Sequence, residues 1–535
     1  MPLTSPAGCS TIGGNMQPMI QSGIQSMSKF SKIYVTSAFS LLLSSTATFA
    51  DVTNAEVWGN WQSYMGSMGY SITANESQVG KVLTVTDVTM SMPTAEDDEN
   101  LSAILPMLTF TEKGDGSVQI ALPPISEIAI DMTLATGEKI DAIIAYAQNG
   151  LDMNVTGEND DFNYVYTAAD VNLSLEELMI DGDAIGSDTA KVDVNLKSIS
   201  GNSSITDGDL RNYTQTLNTA ALDYDLAFSD PETGTKAKVK GTLQNLASSS
   251  NSMLPSTSFD MTDVSAMLDA GFNAAGTFTY QGGTMDLAFD GPDGAGTANT
   301  SSTGGAIAIA FGSDGMNYDV SQTGLAINAL VPDVPLPITL NMAAAKFNFA
   351  MPIQKSDEEQ DFALGFTMGD FTVSDMIWGL LDPSAQLPRD PATLALDLSG
   401  KAKVLFDFLN PDQAAALQSS GAAPGELNAL TLKSLVLDAV GARLTGTGDF
   451  TFDNSDLTSF DGMPRPTGAV DLKLVGGNGL LDKLVAMGML PQEQAMGARM
   501  MMGLFAVAGT EPDTLNSKIE INDAGHILAN GQRIQ

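Results

Sequence analysis

Alternation with a period of two runs through most of this chain and confines it to a β-rich fold. Leu222, Tyr224, Leu226 and Phe228 alternate with Asp223, Asp225 and Ala227, and Val192, Val194 and Leu196 alternate with Asp193, Asn195 and Lys197. Successive side chains of a strand point to opposite faces, so each segment describes a strand with one apolar and one wet face, the pattern of antiparallel sheets. The rhythm recurs at Ile128-Ile130-Met132-Leu134, Met285-Leu287-Phe289, Phe347-Phe349-Met351, Leu394-Leu396-Leu398 and Val470-Leu472-Leu474. Turn residues at 230–234, 290–294 and 312–315 punctuate it, as hairpins and meanders require. The fold class read from this is mainly β: elongated, curved antiparallel sheets with a few covering or capping helices.

Helical spacing is confined to short stretches. Thr53 and Glu56 have the spacing of a capping box, and Val57, Trp58, Trp61, Tyr64, Met65 and Met68 then recur at three and four residues, predicting a helix with an aromatic stripe. Asn410-Pro411-Asp412-Gln413 places a cap, a first-turn proline and an acid before Ala414 to Leu417, predicting another. Leu480, Leu481, Leu484 and Val485 before Pro491, and Met496, Met500, Met501, Leu504 and Phe505 after it, predict a helical hairpin. Helical spacing of methionines usually means packing, and the hairpin's Met487, Met489, Met496, Met500, Met501 and Met502 are read as core, with a ligand-facing surface as the alternative.

The N-terminal region reads as an address. Lys29 and Lys32, the apolar run Ile33 to Leu43, too short to span a bilayer, and the small-residue site Ala47-Thr48-Phe49-Ala50 predict a secretory signal at 27–50 with cleavage before Asp51. Residues 1–26 are uncharged and read as an extension upstream of the true start, Met27. Cleavage removes Cys9, the single cysteine, so the mature chain is expected to form no disulfide and to rely on a large core. The Ser/Asn run Ser248 to Ser252, followed by Pro255, is read as the joint between an N-terminal β-rich lobe at 51–252 and a C-terminal one at 253–535, the latter ending in the helical hairpin and a short β-hairpin. Pro332, Pro335 and Pro337 are read as an extended crossing, and Gly421 to Gly425 as a second joint. No later stretch is long and apolar enough for a transmembrane helix in the mature chain.

Charge removes whole classes of partner. With 64 acidic against 24 basic side chains the net charge is −40, a field that repels nucleic acid and anionic head groups. The acidic runs at Glu96 to Glu99, Glu158 to Asp161 and Asp357 to Glu359 read as solvated loops.

Candidate chemistry fails on its own requirements. His526 is the single histidine and stands beside an Asp523-Ala524-Gly525 turn, so a zinc site or a Ser-His-Asp triad would rest on one imidazole. A calcium loop from Asp181 needs an oxygen ligand at its fifth position and Glu at its twelfth, where Ile185 and Val192 stand. Gly476-Gly477-Asn478-Gly479 lacks the dinucleotide spacing and a basic neighbour, and reads as a strand-to-helix turn capped by Asn478. No catalytic, cofactor-binding or metal residue is assigned, no cofactor is expected, and an enzyme is disfavoured.

Four strings in the C-terminal half carry a resemblance: Trp378 to Pro383, Leu387 to Leu394, Gly476 to Leu484, and Gly525 to Ile534. With them the chain resembles the domain-of-unknown-function family 2125, exported proteins of Gram-negative bacteria, over essentially the whole mature chain. The family carries no established activity, catalytic residue or cofactor to transfer. More distantly, the β-rich chain with its terminal Asn530-Gly531-Gln532 is similar to AsmA-type proteins, whose long curved sheets are associated with outer-membrane lipid homeostasis. That likeness is one of fold, and those proteins keep a membrane anchor that this chain is expected to lose.

These readings converge on a periplasmic protein that binds a lipid or other apolar ligand along the inner face of a curved sheet, its partner recognised through the acyl chain because no basic cluster accompanies the apolar residues. The alternative is a structural or interaction protein of the cell envelope with a protein partner. A closed, fully packed sheet would favour the second.

Overall fold

The computed structural model describes residues 52–92, 100–134, 136–158, 161–230, 233–255, 263–332, 334, 336–410, 413, 417 and 423–535. The signal at 27–50 and its cleavage site, Cys9, the acidic run Glu96 to Glu99, Pro335 and most of the helix expected after Asn410 lie outside them.

Thr53 opens helix α1 (Asn54–Ser67) with the predicted capping box, its Oγ1 accepting from the Glu56 amide while Glu56 Oε2 accepts from the Thr53 amide at 2.8 Å. The chain then builds one large antiparallel sheet. β1 (Ser71–Val79) pairs with β2 (Val82–Met92), whose other edge takes β3 (Asn100–Leu105) and β4 (Leu108–Glu112). β5 (Val118–Ala121) lies beside β4 and β6 (Ile125–Thr133) beside β3; β7 (Lys139–Asn149) and β8 (Asp152–Glu158) extend these two lanes to one long strand, β9 (Asp161–Ile180). A stub, β10 (Asp183–Ala184), folds back on β9, and the sheet continues through β11 (Ala190–Thr206), β12 (Leu210–Ser229) and β13 (Lys236–Pro255).

After the short helix α2 (Val264–Asp269), the pattern of paired lanes repeats. β14 (Asn273–Tyr280) and β15 (Gly283–Gly291) share the edge of β13, and β16 (Gly294–Ser302) and β17 (Gly304–Gly312) rejoin at β18 (Gly315–Leu330). A plain meander follows through β19 (Ile338–Met351), β20 (Gln360–Val373), helix α3 (Asp375–Leu381), β21 (Ala392–Val404), β22 (Gly425–Ala439), β23 (Ala442–Asp453) and β24 (Arg465–Val475). The predicted hairpin is α4 (Gly477–Ala486) and α5 (Gln492–Phe505). β25 (Val507–Ala508), β26 (Thr514–Ile521), β27 (Ile527–Ala529) and β28 (Gln532–Arg533) end the sheet, β26 taking the free edge of β24.

One expectation is corrected. The Ser248 to Ser252 run is strand, inside the 20-residue β13, and Ser250 pairs with Gln215 on one side and Gly276 on the other, so the border set at 252/253 cuts through a strand. Ser and Asn favour loops when their side chains compete for local backbone groups; here both edges of the strand are filled by ladder bonds, which leaves nothing to compete for. The expected second joint is also partly strand, since Gly425 is the first residue of β22.

A crease crosses the middle of the sheet. Ser198 (φ 53°), Asn245 (φ 48°), Gly324 (φ 55°) and Asp370 (φ 50°) are left-handed residues inside β11, β13, β18 and β20, and the registers bring them onto one line. Gly282 (φ 118°), at the break between β14 and β15, stands on the same line. A left-handed residue in a strand acts as a bulge that redirects the side chains beyond it. In β12 the apolar positions change phase at the crease, from Tyr213 and Leu217 to Leu222, Tyr224, Leu226 and Phe228. The apolar side stays the same, however: a Cβ built on Gly283, beyond the crease, would meet Tyr280 Cε2 from before it at 3.1 Å and Leu243 Cδ2 at 2.8 Å. The Tyr280 hydroxyl likewise reaches across to Ser302 Oγ at 3.0 Å.

Candidate functional site

The apolar face begins covered. Val57, Trp58, Trp61, Tyr64 and Met65 of α1 are buried on it, and beneath them Phe110 is 0% and Val118 0% exposed. Trp61 meets the Phe110 ring edge-on at 5.6 Å, Tyr64 lies 4.4 Å from the Tyr213 ring, and the Tyr164 hydroxyl donates to Asn60 Oδ1 at 2.9 Å. Burial pushes the Tyr146 phenol up to about 12, and it raises Tyr64, Tyr164 and Tyr166 as well. These phenols stay protonated and belong to packing, not to acid-base chemistry.

Further along the sheet the same face is open. Ile309, Tyr318, Phe349 and Leu364 stand opposite one another on β17, β18, β19 and β20, and Phe347 pairs with Phe366 in the next row, so all six side chains share one side. Ile309 is 48%, Phe347 40% and Phe366 38% exposed. The Tyr318 and Phe347 rings lie 6.3 Å apart. Behind this patch, on the opposite side of the sheet, a hollow of about 660 Å³ spans the strands from β12 to β20. The side chains that wall it, among them Thr214, Asn251, Ala310, Asn317 and Asn348, stand one residue out of phase with Ile309, Tyr318 and Phe349, whose row runs between them. The rest of its wall is Ala, Gly, Ser, Thr, Asn and Gln, apart from Asp319. One carboxylate without a second titrating partner makes no acid-base pair. Apolar contact is what the patch offers, and it does so apart from the hollow on the other side.

At the other end of the middle strands a polar framework holds the helices. Arg389 stacks 5.5 Å from the Trp378 ring and donates to Asp375 Oδ1 at 3.0 Å; the buried Asp382 accepts from the Leu387 amide at 2.7 Å. Pro388 and Lys483 both come up to Gly441, which joins this loop to α4. The expectation that Asn478 caps α4 is corrected: Asp513, far along the chain, accepts from the Asn478 and Gly479 amides at 3.1 and 2.8 Å. Burial tends to raise the Asp513 carboxyl, but the Gly479 amide and both donors of Asn478 outweigh it and hold it below the usual carboxylate range. Arg499 of α5 donates to Asp482 at 2.6 Å and to the Asn478 carbonyl at 3.4 Å, and Asn530 Nδ2 donates to the Phe505 carbonyl at 2.9 Å. The four strings that carry the family resemblance are therefore linked into one scaffold around α3, α4 and α5.

The residues tested for chemistry are not gathered. Asp181 (φ 52°) and Gly182 turn the chain from β9 into β10, with Asp181 Oδ1 accepting from the Lys139 amide at 2.9 Å. His526 sits in the β26–β27 turn, its amide donating to Asn522 Oδ1 at 3.1 Å. Among the described residues no group of three or more His, Cys, Asp or Glu side chains stands together as a metal site, and no helix is long and apolar enough to cross a membrane. The reading of the hairpin methionines as core is corrected too, since Met489, Met496, Met500 and Met501 are exposed. Their spacing marks a helix face, but α5 is two-sided and its inner face needs little more than Ala495, which is 1% exposed.

No curated protein and no solved structure matches the chain, and the likeness to AsmA-type proteins finds no support there. A family model does match, over a shorter stretch than the whole mature chain. Residues 339–528, from β19 into β27, match the family described as an uncharacterized protein conserved in bacteria (DUF2125), the family that the strings around Trp378 and Gly476 resemble.

Proposed function

We propose that this chain is an exported, periplasmic protein that holds an apolar ligand, a lipid or acyl chain, against the uncovered part of its apolar face. The observation that carries this is the open row of Ile309, Tyr318, Phe347, Leu364 and Phe366 on a face that α1 seals elsewhere. Contiguous exposed apolar side chains on one face mark a binding surface, whereas scattered ones do not. Recognition runs through the chain of the ligand and not through an anionic head group. Lys346 and Lys401, the nearby cations, alternate with Phe347 and Gly400 and so point to the opposite face, where Lys401 is paired with Asp361 at 2.9 Å. The absence of a second histidine and of any thiol outside Cys9 favours a binding role over a catalytic one.

Purification without detergent, native mass spectrometry and lipid extraction test the reading. A co-purifying lipid, or saturable displacement of a fluorescent fatty acid that Phe347→Asp with Phe366→Asp abolishes, is the expected result. Ligand-free protein that binds no such probe overturns it. An interaction role in the envelope is the second reading, favoured by β1, whose outer edge has no strand partner among the described residues; a pull-down for envelope proteins then becomes the deciding measurement. N-terminal sequencing of periplasmic protein tests export separately, with Asp51 expected first.

A further inference from the structure

The exposed face of α5 has a composition that the ligand reading does not use. Met496, Met500 and Leu504 follow one another at four-residue spacing and stack along one side of the helix, with Met501 beside them. Met500 is 72% and Met496 56% exposed, and Leu504 is equally open. The helix is not loose at this point. Its inner side is tied down by Arg499 to Asp482, by Ser517 Oγ to the Phe505 carbonyl at 2.6 Å, and by Asn530 to the same carbonyl. From Gln494 to Thr510 the chain has one charged residue, Arg499, and that one is engaged inward. In a molecule of net charge −40 the stripe is a neutral, apolar window.

We infer that α5 docks this stripe into the surface of an uncharged, zwitterionic lipid bilayer, lying in the plane of the interface. The size of the stripe argues against a stable folded partner: its four side chains on one helix are few for the ≈ 800 Å² per side that a stable specific interface buries. A second copy would in addition bring a second charge of −40 against the first. An interfacial helix has no such requirement, because a fluid surface needs only an apolar stripe to sink to the acyl boundary, and unbranched methionine adapts to irregular contact. The lipid must be uncharged, since α5 offers no free Lys or Arg and the surrounding field repels anionic head groups. This docking does not depend on ligand binding at Phe347 and Phe366, and either can fail alone.

The test is flotation of the full chain with phosphatidylcholine vesicles. Wild type is expected to float with them, and Met496→Glu with Met500→Glu to reduce the bound fraction at least about tenfold, the effect of placing carboxylates at an apolar boundary. Vesicles one-third phosphatidylglycerol are expected to bind several-fold less at low salt and to recover at high salt. Wild type that stays in solution, or a double variant that floats equally well, overturns the inference. If the double variant does not fold, Met500→Cys carrying an environment-sensitive dye replaces it: a blue shift on adding phosphatidylcholine vesicles supports docking, and an unchanged spectrum refutes it. A vesicle-free dimer that the double variant dissolves would assign the stripe to self-association and likewise overturn the inference.

Discussion

The sheet under α1 and the sheet at β17 to β20 are built from the same alternation, yet the first is closely packed and the second lies open. Phe110 and Tyr164 are sealed beneath the aromatic stripe of α1, whereas Phe347 and Phe366, equally apolar and equally placed on one face, keep more than a third of their surface in contact with solvent. The difference does not come from the strands. It comes from what lies on them, and α1 is too short to reach beyond its contacts with β9 and β12 at Tyr164 and Tyr213. Fully burying a large apolar side chain contributes about 1.5–3 kcal/mol, so the covered stretch contributes more to stability than the open one.

The largest test of this contrast is a pair of truncations. Phe110→Ala is expected to cost about 3–5 kcal/mol in urea unfolding, and Phe347→Ala less than about 1 kcal/mol, because only the first leaves a cavity. Equal costs would show that the open face is packed after all.

Next in size is the remote cap of α4. Asp513→Ala is expected to destabilise by about 1–2 kcal/mol near neutral pH, through loss of the acceptor for the Asn478 and Gly479 amides. Because the folded carboxyl titrates below its unfolded value of about 3.9, its contribution is complete above that pH and is lost as pH falls through the lower folded value. The gap between wild type and variant should therefore be the same at pH 7 and pH 5 and close only in stronger acid. A gap that closes between pH 7 and pH 5 would contradict the assignment.

Thr53→Ala removes one half of the capping box and is expected to cost about 1 kcal/mol. It also sharpens the contrast, since a loosened α1 should uncover apolar surface and raise the binding of a hydrophobic dye; unchanged dye binding would mean that the cover holds without its cap. The smallest expected change in stability is that of Phe366→Ser, within about 0.5 kcal/mol as for other open positions, combined with weakened binding of a fatty-acid probe. A variant that binds the probe as wild type does would remove the open row from the proposed site.

Much of the fold was legible locally. Leu222 to Phe228 and Leu394 to Leu398 lie in strands because period two is a property of neighbouring residues, and Thr53 with Glu56 starts a helix because both partners are within one turn. The turn at Asp290 to Gly294 is where its Pro and Gly residues place it. Other features had no local signal. Asp513 stands 34 residues from the Gly479 amide that it caps, and nothing near Gly476 points to it. The crease leaves only a change of phase in β12, and a change of phase by itself does not say whether the apolar side chains change face; the contact of Tyr280 with the Gly283 site decides that they do not.

Sequence alone determined a mainly β chain of alternating strands, an acidic surface, the aromatic helix that opens the described structure and the helical hairpin near its end, since each rests on spacing or composition. Only the tertiary structure decided that Ser248 to Ser252 is strand, that Asp513 caps α4, that Met496 and Met500 face outward, and which stretch of the apolar face lies open. Strand and helix follow from neighbours a few residues apart, but cover depends on which distant element reaches a surface, and that is set by how the whole sheet places its ends.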